Sequence, residues 1–123
     1  MDLVIYWTFV INTTKSGVIK TSTESILSDL GNKDIFITKS EIYWKDKSKY
    51  LLEFKQILKF IPTIELATMN LIENIEKINS NWSLNIVSLT KENFDVSATT
   101  DKLRKDNVSW AGFSSEIIFP CQA

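Results

Sequence analysis

The sequence predicts an α+β fold, an antiparallel sheet with two helices packed on one face. Three observations predict it: a long central hairpin with period-two alternation, a helix-period stripe after it, and a strand–helix unit before it. In chain order these read β-α-β-β-α-β, the ferredoxin-like pattern, with additional C-terminal strands. At 123 residues, with three glycines and two prolines, residues 1–123 form a single domain with no linker.

Leu3 to Asn12 opens the chain as a strand. Leu3, Ile5, Trp7, Phe9 and Ile11 alternate with Val4, Tyr6, Thr8, Val10 and Asn12, so both faces are largely apolar, as in a central strand. Thr13 to Gly17 reads as loop, with Gly17 as a turn residue. A short helix, Thr23 to Leu30, is capped by Thr21 or Ser22, and Thr21 with Glu24 has capping-box spacing. Ile26, Leu27 and Leu30 form its stripe, and Gly31 stands where a left-handed C-cap belongs.

The hairpin runs from Asp34 to Phe60. On its first arm Phe36, Thr38, Ser40, Ile42 and Trp44 share one face, opposite Ile35, Ile37, Lys39, Glu41 and Tyr43. On the second arm Tyr50, Leu52, Phe54, Gln56 and Leu58 oppose Leu51, Glu53, Lys55, Ile57 and Lys59. The polar tip, Lys45 to Lys49, is bracketed by Trp44 and Tyr50, an aromatic pair suited to face across the turn and fix register.

Pro62 ends the second arm and opens the main helix, Pro62 to Asn79, where a missing N–H costs nothing. Ile64, Ala67, Leu71, Ile75 and Ile78 recur at helical spacing. Strands follow at Trp82–Leu89, with Trp82, Leu84 and Ile86 opposed to Ser83, Asn85, Val87 and Leu89, and at Phe94–Ala98. After a charged connector, Asp101 to Asn107, a last strand runs from Val108 to Phe119 with a bulge expected near Gly112.

Absences restrict the chemistry. Histidine is missing, which removes His-based general bases, the triads built on them and most zinc sites. Three isolated glycines cannot build a phosphate-cradling loop. No cofactor and no metal site is expected. The single cysteine, Cys121, cannot form an internal disulfide, so a reducing cytoplasm is the expected location, with Cys121 an inert residue of the tail. Leu3–Ile11 is shorter than the about 20 residues that cross a bilayer and lacks a basic leader, so no membrane association is expected. A net charge of −1, with thirteen lysines and one arginine (Arg104), argues against a nucleic-acid partner.

Carboxylates and aromatics remain. Glu73 and Glu76 share a face of the main helix, as a solvated surface or as an acid pair. Glu41 and Glu53, surrounded by Lys39, Lys55 and Lys59, fit cross-strand charge pairing. Of the four tryptophans, Trp7, Trp82 and Trp110 read as core, and Trp44, beside the charged tip, as the exposed exception. Tyr6 and Phe54 sit where an RNA-binding sheet would place stacking rings, but residues 49–54 lack the glycines and basic residues of that motif. Charge is segregated: Asp34–Lys59 holds six lysines against four acids, and Ile61–Ser97 holds five acids against two lysines. An acidic helix and strand surface suits a basic protein partner.

The whole chain resembles the small immunity proteins that neutralise bacterial polymorphic toxins, including those of contact-dependent growth inhibition systems. The likeness is carried by a compact single domain, 16 isoleucines with many Asn and Lys, mixed strands and helices, and no catalytic set. It implies a non-enzymatic protein that inhibits a cognate toxin stoichiometrically, the toxin being a nuclease in one version. The surface expected to bind comprises Trp44, Asp46 and Tyr50 at the hairpin tip, or Glu73 and Glu76 on the helix. Two other classes stay open: a ligand-sensing or dimeric α+β module, and a carboxylate-dependent metal enzyme. The oligomeric state is not legible.

Overall fold

The computed structural model describes residues 1–31, 34–103 and 105–119. Its elements are β1 (Asp2–Ile11), α1 (Ser16–Asp29), β2 (Ile35–Ile42), β3 (Tyr50–Leu58), α2 (Ile64–Ile78), β4 (Ser83–Leu89), β5 (Phe94–Thr100) and β6 (Val108–Ile118). Arg104 and Cys121 lie outside the described residues, and with them the reading of Cys121 as an inert tail residue.

The α+β class and the antiparallel sheet are as expected; the ferredoxin-like strand order is not. All six strands form one antiparallel sheet in the order β2-β3-β1-β6-β5-β4. The chain leaves α2 for the far edge, and β4, β5 and β6 then return as a meander. The last strand therefore pairs with β1, from Asp2↔Ile118 to Ile11↔Val108. Short turns make consecutive strands the readiest partners, and the two strands beyond the expected four follow that rule.

Both helices contribute to one core on one sheet face. The odd residues of β1, Leu3 to Ile11, are buried there with Leu52 and Phe54, Phe94, Val96 and Ala98, and Ala111 and Phe113. Ile26 and Leu30 of the α1 region and Ala67, Leu71, Ile75 and Ile78 of α2 cover them. Trp7 stacks on Phe9 with centroids 5.6 Å apart, and Phe9 on Phe54 at 5.7 Å. Such ring pairs add about 0.5–1.5 kcal/mol each beyond area burial.

α2 matches its expected stripe, and its start is set by Thr63, whose Oγ1 accepts from the Leu66 N–H at 3.2 Å. A cap of this kind contributes about 1 kcal/mol. α1 is longer than expected. It begins at Ser16 and takes in Gly17, and Thr21, offered as a cap, instead donates its hydroxyl to the Gly17 carbonyl within the helix at 2.9 Å. Ser22 and Ile26 are buried and Ile19 packs on the core, so tertiary contact carries a Ser- and Thr-rich segment with poor intrinsic propensity. Gly31 does adopt the left-handed conformation expected of it, at φ 88°.

Two register shifts overturn the expected faces of the edge strands. Between Ile37 and Lys39 the β2–β3 pairing skips Thr38, so Ile35, Ile37, Ser40 and Ile42 share the helix side and Phe36, Lys39 and Glu41 the open side. Between Leu84 and Ile86 the β4–β5 pairing skips Asn85, which sets Leu84, Val87 and Leu89 on the helix side and Ile86 and Ser88 on the other. No bulge occurs at Gly112, which pairs in register with Thr8 and Thr99; the irregularity lies at Ser109, between Trp110 and Val108. Gly112 has a different reason to be glycine. A Cβ there would come within 2.6 Å of Cη2 of Trp110, whose indole lies over it.

Candidate functional site

The hairpin tip is built by local hydrogen bonds. Tyr43 N–H donates to the Lys49 carbonyl at 2.9 Å and Lys49 N–H to the Asp46 carbonyl at 3.0 Å. Asp46 Oδ1 accepts from the Ser48 hydroxyl at 2.6 Å and from the Ser48 N–H at 3.0 Å. Those two bonds, the hydroxyl's first, hold the Asp46 carboxyl below its ordinary pKa, and the Lys49 charge works in the same direction. Asp46 is thus the turn-forming residue, a role typical of Asp whose side chain reaches the backbone two residues on.

Trp44 projects from this turn and is 71% exposed. Its ring packs edge-on against Tyr43, with centroids 6.2 Å apart, and Lys45 Nζ lies 5.1 Å from its centroid. The expected Trp44–Tyr50 pairing is absent: Tyr50 stands opposite Ile42, and its hydroxyl lies 2.6 Å from Ser40 Oγ. Tyr50 is half-buried against the core and joins the tip to the sheet. The structure therefore brings Trp44, Asp46 and Tyr50 together, with Trp44 the contact-capable member.

The tip continues into an apolar edge. β2 ends the sheet on this side, and no described strand pairs with its outer backbone groups. Phe36, Ile37 and Ile42 along it are about half exposed. Ile42 and Tyr50 also line a cavity of about 560 Å³ against α1, with Ile19, Thr23 and the charged rim of Lys20 and Glu24. An exposed edge of this kind is a template for an added strand.

Glu73 and Glu76 are both exposed on α2 but belong to another region. Glu73 borders a cavity of about 760 Å³ with Asn70, Lys77, Gln56 and Lys59. Its β3 lining begins six residues along the strand from Tyr50, roughly 20 Å away at strand spacing. Phe60, at this cavity, was not singled out by the sequence. It is 88% exposed at φ 60°, a backbone conformation rare for a bulky residue. Periodicity gave no signal for this, since Phe60 continues the even-numbered apolar series Leu52, Phe54 and Leu58.

The open sheet face carries a transverse row across six strands: Phe36, Lys55, Tyr6, Ser114, Ser97 and Ile86. Tyr6 donates its hydroxyl to Glu116 Oε1 at 2.7 Å. That bond, then partial burial and the carboxylate's charge, raise the Tyr6 pKa above 10.0. Phe54 lies on the opposite face and is buried, so Tyr6 and Phe54 form no joint stacking platform. Glu53 stands opposite Lys39, but the Lys39 Nζ lies 3.8 Å from Glu41 Oε1 on its own strand, so the ion pair runs along β2 and not across the hairpin as expected. Among the described residues no three His, Cys, Asp or Glu side chains are placed to hold a metal ion, and no helix is long and apolar enough to cross a membrane.

The chain matches no protein-family model, and no curated protein or solved structure is significantly similar to it.

Proposed function

We propose that this protein is an immunity protein, which binds a cognate bacterial toxin domain and blocks it stoichiometrically through the β2 edge and the hairpin tip. One observation carries the reading: an exposed tryptophan, Trp44, stands just beyond the end of β2, an edge strand whose outer side no described strand pairs. Buried indoles anchor protein interfaces, and a free strand edge adds directional backbone bonds. Lys45 lies over the indole, and Lys47 and Lys49 share the same turn, so the matching toxin surface is acidic. The exposed acids of α2, Glu73 and Glu76, lie outside this patch and serve a basic surface of the toxin only if the partner wraps the domain. On this reading the protein acts in the cytoplasm without cofactor or catalysis, and β4 with β5 elaborates a ferredoxin-like core in which β6 takes the last strand's place.

Co-expression with the product of the gene beside its own, as the candidate toxin, tests the proposal. The expected result is cell survival and a one-to-one complex. Unprotected cells, with both proteins folded and no complex recovered, contradict it.

A further inference from the structure

Where α2 gives way to β4, and β5 to the connector after it, lies a cavity of about 510 Å³, a size typical of small-ligand sites. Trp110 of β6 borders it. Its indole leans along the strand over Gly112, where a Cβ would stand 2.6 Å from Cη2. Gly112 pairs with Thr99 and Thr99 with Ser83, so the indole and these two hydroxyls share the open face of the sheet. Asn81 before β4, and Asp101 and Lys102 after β5, extend the lining.

The wall is held from behind by Asn79, which is buried. Its Nδ2 donates to the Asn81 carbonyl and Thr100 Oγ1 at 3.2 Å and to the Lys102 carbonyl at 3.0 Å, so one amide fixes three residues of the cavity. Trp82, also at the cavity, donates its indole N–H to the carbonyls of Asn79 and Ile75 at 2.8 and 3.2 Å. Bonds of this kind organise a site before a ligand arrives. Asn79 Oδ1 is left as the one buried side-chain acceptor without a partner among the described residues. Folds break the rule of polar satisfaction chiefly where a functional site is built.

We infer that this cavity binds a small neutral polyhydroxylated ligand, a mono- or disaccharide, against the Trp110 indole. Beyond Trp82 and Trp110 the lining offers hydroxyls, an amide and one charge of each sign. Hydroxyls and amides both donate and accept, which matches the hydroxyls around a sugar ring. A carboxylate such as that of Asp101 accepts from two adjacent sugar hydroxyls, and an ammonium such as that of Lys102 donates to a third. The C–H face of the sugar supplies the apolar contact that an indole takes up by dispersion. Other classes fit less well. Asp101 beside Lys102 opposes a free phosphate or a phosphorylated ligand, and an apolar ligand would strip water from these polar groups without replacing its hydrogen bonds. This inference is independent of the toxin reading, since none of these residues lies on β2 or the hairpin tip.

The test is a nitrogen–proton NMR titration of the full chain with glucose, galactose and N-acetylglucosamine, each carried through the millimolar range. The expected result is a saturable shift, with at least one of these sugars, of the Trp110 indole signal and of the Thr99 and Lys102 amides. Trp110→Ala and Thr99→Val should each weaken that sugar at least about tenfold, read from the Lys102 amide, with an unchanged far-UV circular dichroism spectrum. Thr99→Val removes the hydroxyl but keeps a β-branched side chain in the strand, so it decides the matter if Trp110→Ala does not fold. No saturable shift with any of the three sugars, undiminished affinity in either folded variant, or saturation by adenosine or inorganic phosphate in place of the sugars overturns the inference.

Discussion

Gln56 of β3 donates from Nε2 to Asn74 Oδ1 of α2 at 2.9 Å, a side-chain bond inside the core that links sheet to helix. Gln56 Oε1 in turn accepts from the Trp7 indole at 3.2 Å, and Asn74 Nδ2 donates to the Asn70 carbonyl at 2.8 Å. The chain Trp7–Gln56–Asn74–Asn70 thus satisfies each buried amide by its neighbour, as burial demands. Gln56 is 1% exposed, so no solvent replaces a lost partner.

Asn74→Ala should cost about 1–3 kcal/mol, because it leaves the Gln56 amide buried without its acceptor. Urea unfolding measures this as a lower midpoint at unchanged slope. A loss no larger than that of an exposed substitution such as Glu76→Ala would show that the bond contributes nothing net.

Gly112→Ala should displace the Trp110 indole, because the new methyl would overlap its Cη2. The ring is the end of a movable side chain, so the cost falls toward the lower part of the about 1–3 kcal/mol range for overpacking. In a nitrogen–proton NMR spectrum the Trp110 indole signal should shift while backbone signals of α1 stay in place. An unmoved indole signal would refute the contact.

Alkaline pH should weaken the fold through Tyr6. Its pKa is raised in the folded chain by donation to Glu116, so above about pH 10 the unfolded chain holds fewer protons and stability falls with rising pH. The contribution is fully present below that pH and lost as the folded pKa is passed. Thermal melts from neutral to alkaline pH should show a shallower decline for Tyr6→Phe than for the unmodified chain; parallel curves would exclude the mechanism.

Acid should loosen the tip through Asp46. Its folded pKa is depressed, so the turn's support is present above about 3.8 and disappears as pH falls through the lower folded value. Asp46→Asn should abolish the acid-dependent change in the Ser48 amide signal, and an unaltered titration of that signal in the variant would contradict the assignment.

Much of the fold was legible because it depends on local periodicity. β1, β3 and α2 carry their buried residues at strand or helix spacing, and the structure buries Leu3 to Ile11 and Ala67 to Ile78 as read. The bulges at Thr38 and Asn85 were not legible, since a skipped residue is defined by the partner strand and leaves no mark in its own. The position of β6 beside β1 was hidden for the same reason: sheet order is a choice among distant partners. α1 was under-read because its first half, Ser16 to Thr23, is held by packing against propensity. At the candidate site the exposure of Trp44 followed from the lysine-rich tip beside it. Its separation from Glu73 required the three-dimensional path of α2.

The most direct test of the proposed function is calorimetric titration of the protein with the product of the gene beside its own, as the candidate toxin, using the unmodified chain and Trp44→Ala. The account predicts one-to-one binding that weakens at least about tenfold, or about 1.4 kcal/mol, in Trp44→Ala, with the melting temperature unchanged. No heat of binding for the unmodified protein, or equal affinity for both, would contradict it.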